Sequence, residues 1–175
     1  IFIFALIIKI IFIFIFNKFA KKKQEEEGKQ YPKFLISLGI FILLFSSYAQ
    51  IYKEKYIKDA SEIALHWLND INQSSYESAY NILAKENKNQ YPKEIWIKLI
   101  NELMLEFGKL NSRTIISKNF KSSLEGLEDG FYVLLEFKSD YQKTKNHKEY
   151  IILKQNDQTD WMILDYNYEF NSLQR

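Results

Sequence analysis

The sequence predicts an α+β domain in which helices come first and a four-stranded antiparallel sheet follows, behind a hydrophobic leader. Two observations predict this fold. Apolar residues recur at helical spacing between Ile63 and Phe107, whereas from Arg113 onward apolar and polar residues alternate as they do in half-buried strands. Helices followed by hairpin-linked strands are typical of a two-layer domain whose sheet packs on the helices.

The first predicted helix begins at Asp59. Asp59 as N-cap and Glu62 three residues later form a capping box, which provides partners for free backbone N–H groups at a helix start. A break at 72–75 leaves two alternatives, one long kinked helix or two short helices. The apolar positions of this region are Ile63, Ala64, Trp67, Leu68, Ile71, Tyr76, Ala79, Tyr80 and Leu83.

The next helix lies between Pro92 and Gly108. Proline suits the first turn of a helix because its missing N–H would have no partner there, and glycine tolerates the left-handed conformation that often follows the last turn. The apolar stripe between them consists of Ile95, Trp96, Leu99, Ile100, Leu103, Met104 and Phe107. These two helical patterns predict that Trp67, Trp96 and Phe107 belong to the core.

Four strands are predicted, at 114–120, 131–139, 148–155 and 161–170. Turn-forming or polar segments precede or separate them, namely Asp129-Gly130, 143–147 and 156–160. Because side chains alternate along a strand, one face of the second strand carries Phe131, Val133, Leu135 and Phe137. Trp161, at the start of the last strand, is also predicted to be a core residue.

The N-terminal part predicts a protein that is exported across the inner membrane or anchored in it with its domain outside the cytoplasm. Lys33, the apolar run 34–45 and the small residues Ser47 and Ala49 form the parts of a signal peptide, and the same run suits an uncleaved anchor in a thinned bilayer. Residues 31–49 are therefore interpreted as signal peptide or anchor. A linker at 50–58, the domain at 59–170 and a tail at 171–175 complete the predicted organisation.

Residues 1–30 have two interpretations. The run 1–16 is almost wholly Ile and Phe, is shorter than the roughly 20 apolar residues of a membrane span, and is what AT-rich noncoding DNA yields when translated. Residues 1–30 are therefore predicted to be a misassigned extension or a truncated gene fragment. The alternative is a first membrane helix with a lysine-rich cytoplasmic loop. The abundance of Ile, Lys, Asn, Phe and Tyr, which have AT-rich codons, indicates a bacterial origin.

Charge and cysteine content exclude several functions. The formal net charge is +2, but residues 1–49 carry +4 and residues 50–175 carry −2, so the basic surplus belongs to the leader. A domain that binds nucleic acid usually concentrates Lys and Arg on one face, and nucleic-acid binding is therefore disfavoured. Cysteine is absent, which excludes thiol nucleophiles, disulfides and thiolate metal sites.

A spaced pattern of aromatic and turn residues covers 59–170. It consists of Trp67, Tyr76, Trp96, the segment FGKLNSR at 107–113, the segment EDGFYV at 128–133, Glu149 and Trp161. This pattern resembles the bacterial domain-of-unknown-function family 4019. The resemblance implies a cystatin-like or nuclear-transport-factor-2-like cone, with N-terminal helices packed on a curved sheet, and it implies no known activity. The chain has Asp165-Tyr166 where a small residue and an aromatic are expected.

Arg113 is the first candidate binding residue. A guanidinium in the cleft between helix and sheet would hold a carboxylate ligand through two hydrogen bonds. The other interpretation is structural, with Arg113 tied to an acidic residue of the domain. The acidic residues considered are Glu128, Asp129 and Glu149.

Three tyrosines are further candidates for binding, namely Tyr132, Tyr150 and Tyr166. Tyrosines line pockets in folds of this cone shape, and a tyrosine beside a carboxylate can take part in acid/base chemistry. Ordinary sheet packing also favours tyrosine. No Ser/His/Asp order, phosphate loop or dinucleotide fingerprint is present in the sequence.

The two histidines indicate neither a metal nor a cofactor. His66 forms a row with Glu62 and Asp70 at i−4 and i+4, which suits a metal ion but also describes a solvated helix face. His147 lies in a lysine-rich turn and is expected to be solvated. The sequence therefore predicts no metal site and no cofactor.

The predicted function is a noncatalytic module that binds a protein, a peptide or a small ligand through the sheet face or its rim. The alternatives are a small-pocket enzyme of the isomerase or hydratase type and a purely structural, membrane-tethered module. The interior of the domain distinguishes the binding module from the enzyme. An open cavity with a carboxylate or histidine at its floor favours chemistry, whereas an interior filled by Trp67, Trp96 and Phe137 favours surface binding.

Overall fold

The computed structural model describes residues 33–145 and 147–169 together with positions 14, 17, 18 and 21, and it describes the side chains of the first long helix from Gln50 onward. The chain divides into two compact units, Ile1–Tyr52 and Lys53–Arg175. The predicted tail and most of the predicted extension at 1–30 lie outside the described residues. In the part that is described, no helix is both long enough and apolar enough to span a membrane.

Four helices precede the sheet: α1 (Lys33–Asn72), α2 (Tyr76–Asn81), α3 (Lys85–Gln90) and α4 (Lys93–Phe107). The predicted helix start at Asp59 is wrong, because Asp59 lies inside α1, and the segment 50–58 predicted as a linker is part of the same helix. Asp59 accepts a hydrogen bond from Lys55 one turn earlier, at 2.5 Å, and the hydroxyl of Ser61 donates to the carbonyl of Ile57 at 2.6 Å. Polar residues that resemble a cap are thus accommodated by bonds within the helix.

The break at 72–75 separates two helices, but only the second is short, since α1 has 40 residues and α2 has six. Ser74 adopts a positive φ of 59° there. Sequence patterns did not predict α3, because it is short and has no buried residue. The side chain of Asn87 in α3 donates hydrogen bonds to the carbonyl oxygens of Ile163 and Leu164, at 3.1 and 2.8 Å, and so holds α3 against the last strand.

Only some of the apolar residues of α4 are buried in the core. Ile100, Met104 and Phe107 are buried, whereas Ile95 and Leu99 are 52% and 49% exposed. The periodicity identified the helix correctly but placed too many of its residues in the core, since a helix that packs on one side needs only a stripe of apolar residues there.

The sheet contains β1 (Leu110–Lys121), β2 (Tyr132–Tyr141), β3 (His147–Gln155) and β4 (Trp161–Glu169), in the order β1-β2-β3-β4. Every neighbouring pair is antiparallel. Within β4, Ile163 also pairs with the segment after α2: the N–H of Ala84 donates to the carbonyl of Ile163 at 2.8 Å, and the N–H of Ile163 donates to the carbonyl of Ile82 at 2.9 Å. The order and direction of the strands confirm the predicted α+β fold.

The core lies between α1, α4 and one face of the sheet. From α1 it receives Ala60, Ala64, Trp67, Leu68 and Ile71. From the sheet it receives Val133, Leu135, Phe137, Ile151, Leu153, Trp161 and Ile163. A register shift between Ile115 and Ser117 changes the alternation of β1. Residues on both sides of this bulge can therefore face the helices.

Candidate functional site

A buried ion pair lies at one end of the core face. The Glu149 side chain is fully buried and the Arg113 side chain is 7% exposed. Arg113 donates from Nε to Glu149 Oε2 at 2.8 Å and from Nη2 to Oε1 at 3.1 Å. Two parallel N–H···O bonds of this kind fix both the position and the orientation of the two groups.

The register of the sheet brings these groups together. Arg113 on β1 lies opposite Ser139 on β2, and Ser139 lies opposite His147 on β3. Glu149 is two residues beyond His147 and therefore shares its face of the sheet. The side chains of Arg113, Ser139 and Glu149 thus converge above β2.

Three hydroxyl groups complete the surroundings of the carboxylate. Ser139 donates a short hydrogen bond to Glu149 Oε2, and Tyr141 and Tyr166 donate to Oε1 at 2.9 and 2.7 Å. Ser139 Oγ also accepts from Arg113 Nε at 3.1 Å, and the Tyr141 hydroxyl accepts from Nη2. We call this set of five residues the Glu149 cluster. Each carboxylate oxygen accepts at least two hydrogen bonds within it.

The Glu149 cluster holds its charges in place at neutral pH. Burial favours a protonated Glu149, but the charge of Arg113 and the hydrogen bonds from Arg113, Ser139 and Tyr166 outweigh it and hold the pKa of Glu149 below its usual range. Burial would lower the pKa of Arg113, yet the charge of Glu149 raises it. Burial and the same carboxylate raise the pKa values of Tyr141 and Tyr166. The carboxylate therefore stays ionised and the two phenols stay protonated.

His147 lies beside this cluster and is fully buried, so its predicted solvation is wrong. Its ring is 4.4 Å from the ring of Phe107 between centroids and stacks on Tyr168 at 5.7 Å. His147 begins β3, where the alternation that buries Glu149 also buries it. Burial lowers the pKa of His147.

The candidate residues from the sequence divide into two groups. Arg113 and Tyr166 belong to the Glu149 cluster, and the structural interpretation of Arg113, with Glu149 as its partner, describes its contacts. Tyr132 donates its hydroxyl to the carbonyl of Glu128 at 2.6 Å, away from the cluster. Tyr150 follows Glu149 on β3, so it lies on the opposite face, where its hydroxyl is 3.1 Å from the carboxylate of Glu169.

Sequence reasoning missed Ser139 and Tyr141. Both continue the alternation of Val133, Leu135 and Phe137 on β2. Because side chains two residues apart on a strand share a face, this spacing predicts that Ser139 and Tyr141 also point toward the core. Their polar character concealed this, because a serine and a tyrosine at the end of a strand usually indicate a solvent-exposed end.

The core residues predicted from the sequence are placed as follows. Trp67, Phe107 and Trp161 are buried. Trp96 is only partly buried and lies against the rings of Trp67 and Tyr80, at centroid distances of 6.4 and 5.7 Å. Gly108 ends α4 with φ at 74°, a value that favours glycine.

The row of Glu62, His66 and Asp70 on α1 does not converge. His66 Nδ1 lies 3.4 Å from Asp70, but Asp70 also accepts a hydrogen bond from the hydroxyl of Ser78 at 2.6 Å. Glu62 lies 3.9 Å from Lys58 instead. Across residues 33–145 and 147–169, three or more potential metal ligands of the His, Cys, Asp or Glu type do not come together.

An open groove lies at the opposite end of the sheet, with a volume of about 680 Å³. It is lined by the start of α3, the loop between β1 and β2, and the turn between β3 and β4. At its centre Lys154 lies 2.8 Å from Glu86 and 3.3 Å from Glu128. Phe131, which is 41% exposed, forms part of the wall. We call this surface the Lys154 groove.

A second open groove, of about 350 Å³, lies between α1 and β1. Ile57, Leu65 and Ile115 supply its apolar lining. Lys118 also lines it, because the bulge in β1 places Lys118 on the same face as Ile115. A charged residue such as Lys118 and a bulge on an edge strand are features that prevent pairing with other chains, so this groove is a poor site for an additional strand.

The chain matches the model of a protein family. Residues 63–166 match the model of the family described as Protein of unknown function (DUF4019), which covers more than half of the chain. The chain belongs to this family. The match begins at Ile63 in α1 and ends at Tyr166 in β4, so the DUF4019 region contains the whole Glu149 cluster. No curated protein and no solved structure matches the chain significantly.

Proposed function

We propose that this DUF4019 domain is a noncatalytic binding module that acts outside the cytoplasm. The observation that carries the proposal is the state of Glu149. A general acid or base must exchange a proton with a substrate, yet this carboxylate is buried and bonded to Arg113, Ser139, Tyr141 and Tyr166. Its low pKa also makes it a weak base. The cluster stabilises the sheet and is unsuited to isomerase or hydratase chemistry.

Packing of the interior supports binding at the surface. Trp67 and Phe137 are buried in the core between helices and sheet, as is Phe107, whereas Trp96 is partly buried and packs against this core. A ligand bound in this region would have to displace well-packed aromatic side chains, each of which contributes several kcal/mol to stability (about 3–5 kcal/mol when truncated to Ala). An interior filled in this way favours a binding site on the outside.

The Lys154 groove is the proposed binding site. Its wall comes from a short helix and two loops, and loops held by a rigid sheet commonly carry binding residues. The exposed ring of Phe131 offers apolar area, and Lys154, Glu86 and Glu128 offer charges of both signs. This mixture suits a polypeptide segment, which presents apolar and charged side chains together.

Location outside the cytoplasm is part of the same proposal. It is supported by Lys33, the apolar run 34–45, and Ser47 and Ala49, which together form a signal-peptide pattern. Two outcomes are compatible with it, cleavage after Ala49 or retention of the segment as an anchor.

Site-specific crosslinking tests the proposal. A photoreactive amino acid is introduced in the full chain at Asp157 in the Lys154 groove, and at Lys138, an exposed residue of β2 outside the groove, as control. We expect discrete crosslinked products from position 157, fewer from position 138, and a loss at position 157 when Phe131→Ala is added. Equal labelling at both positions would contradict a groove-bound partner. An isomerase or hydratase activity that is lost in Glu149→Gln while the protein remains folded would instead support the alternative function, a small-pocket enzyme.

A further inference from the structure

The outer face of α4 carries an exposed seam with a regular spacing. Ile95, Lys98, Glu102 and Leu105 follow one another at intervals of three, four and three residues. This alternation keeps them on one side of a helix, as in the contact line of a coiled coil. All four are exposed, with Ile95 at 52% and Leu105 at 62%, and with the side chains of Lys98 and Glu102 at 75% and 60%. We call these residues the α4 seam.

The α4 seam is complementary to itself. If a second copy of α4 lies antiparallel to the first, with the two-fold axis level with Ile100, Ile95 faces Leu105 of the second copy. In the same arrangement Lys98 faces Glu102 of the second copy, and each contact occurs twice. A two-fold interface requires this reciprocity, because the same surface must serve on both subunits. From this geometry we infer that α4 is the contact surface of a homodimer.

Leu99 adds an apolar contact next to the axis. It is 49% exposed and lies beside the α4 seam, one residue before Ile100. Isolated apolar residues on a surface are ordinary, but here three large aliphatic side chains lie along one helix of 15 residues. Lys98 and Glu102 are already 4.0 Å apart within one helix, so pairing two copies would create a ring of four alternating charges.

The other charges near the seam do not oppose this pairing. Glu94 and Glu106 lie 12 residues apart, which places them about 120° from each other around the helix and on opposite flanks of the seam. In an antiparallel pair each flank meets the same flank of the second copy. Glu94 and Glu106 therefore stay apart across the interface.

The dimer should be weak and sensitive to salt. A helix of 15 residues is roughly 22 Å long. Its exposed side covers less than the roughly 1,200 Å² of a standard interface. The central charge pairs are near solvent, so salt should screen them. The inference does not depend on the Lys154 groove, because no residue of the α4 seam lines that groove.

Cysteine crosslinking in the full chain tests the dimer, since the natural sequence contains no cysteine. Leu99→Cys lies next to the proposed axis, and Ile116→Cys on β1 is the matched control because Ile116 is also 49% exposed. Under mild oxidation we expect disulfide-linked dimers of Leu99→Cys at a level at least tenfold above those of Ile116→Cys. Equal crosslinking of the two variants would overturn the inference.

Charge exchange tests the pairing itself. In the Leu99→Cys background, Lys98→Glu alone and Glu102→Lys alone should each reduce crosslinking severalfold, because like charges then face each other. The double variant should restore it, and so should a mixture of the two single variants. Failure of both to restore crosslinking would overturn the antiparallel pairing. Since both side chains are exposed, neither change should unfold the protein, and Phe131→Ala in the Lys154 groove should leave the dimer intact.

Discussion

Arg113 and Glu149 form an ion pair across β2. They lie on β1 and β3, on either side of that strand, and Arg113 Nε is 2.8 Å from Glu149 Oε2. Such a contact requires both side chains to leave their strands on the same face and to lean over the strand between them. Ser139, on that middle strand, contacts both. The pair thus ties three of the four strands together on the core face.

Removal of Arg113 from this ion pair should lower the free energy of unfolding strongly. Arg113→Met leaves an ionised carboxylate buried without its counterion, a change that typically costs about 3–5 kcal/mol. Adding Glu149→Gln should recover part of this loss, because the introduced amide is neutral. Its single oxygen can still accept hydrogen bonds from Tyr141 and Tyr166, while its NH2 group can donate to the hydroxyl oxygen of Ser139. Urea denaturation of residues 50–175 measures both variants.

The control for this pair is Glu136, which lies 3.1 Å from Lys148 in a partly exposed position. Glu136→Gln should shift the midpoint much less than Arg113→Met, because exposed pairs contribute little. A double variant that is less stable than Arg113→Met alone would show that the carboxylate does not need a counterion.

Acid should destabilise the domain in two stages. The pKa of buried His147 is lowered, so the unfolded chain takes up a proton first, and the stability from neutral His147 is lost as the pH falls below about 6.5. The pKa of Glu149 is also lowered, so its contribution is present above about pH 4.3 and is lost at lower pH. The free energy of unfolding should therefore fall between pH 7 and 5, and again below pH 4.

Replacement of each histidine separates these stages. His147→Gln should flatten the pH dependence between 7 and 5. His66→Gln, at an exposed histidine of α1 whose side chain is 59% exposed, is the matched control substitution. The same slope in wild type and His147→Gln would contradict the assignment of the first stage to this histidine.

The sequence predicted the elements better than the contacts. Periodicity gave α4 and all four strands, because each buries one side and its apolar residues repeat accordingly. It did not give the start of α1, since Asp59 and Glu62 suit a capping box as well as the interior of a polar helix segment. Nor did it give the Glu149 cluster, which depends on the register of β1 against β3. Register is set by pairing in three dimensions, and one residue of shift reverses every side chain.

The two tryptophans of the helix layer should differ in their effect on stability. Trp67 is 1% exposed and donates its Nε1–H to the carbonyl of Ala79 at 3.1 Å, so Trp67→Ala should cost about 3–5 kcal/mol. Trp96 is only partly buried, and Trp96→Ala should cost less, about 1–3 kcal/mol. Urea denaturation compares them, with the exposed Glu62→Ala as control. If Trp96→Ala keeps the wild-type midpoint but loses a bound partner, Trp96 is a binding residue.

Export can be measured directly. If the segment 31–49 is a cleaved signal peptide, mass spectrometry of the protein isolated from its own cells should find an N-terminus at Gln50, after the small residues Ser47 and Ala49. Ala49→Arg should then block cleavage and yield a longer species. A dominant wild-type species that retains 34–45 would mean that the segment is an anchor.

Of Gly108, Gly126 and Gly130, Gly108 should tolerate alanine least. Its φ of 74° and ψ of −163° belong to a region that is almost exclusive to glycine, and an added Cβ would lie 3.2 Å from Gln142 Cβ and Lys143 Cγ. Gly108→Ala should therefore cost about 1–3 kcal/mol. Gly126 has a similar φ of 79° but no atom within 4 Å of its added Cβ, so Gly126→Ala reports the backbone strain of a positive φ without the contact. Thermal and urea denaturation should show a larger loss for Gly108→Ala. Equal losses would mean that the turn between β2 and β3 moves away freely and does not hold the end of α4.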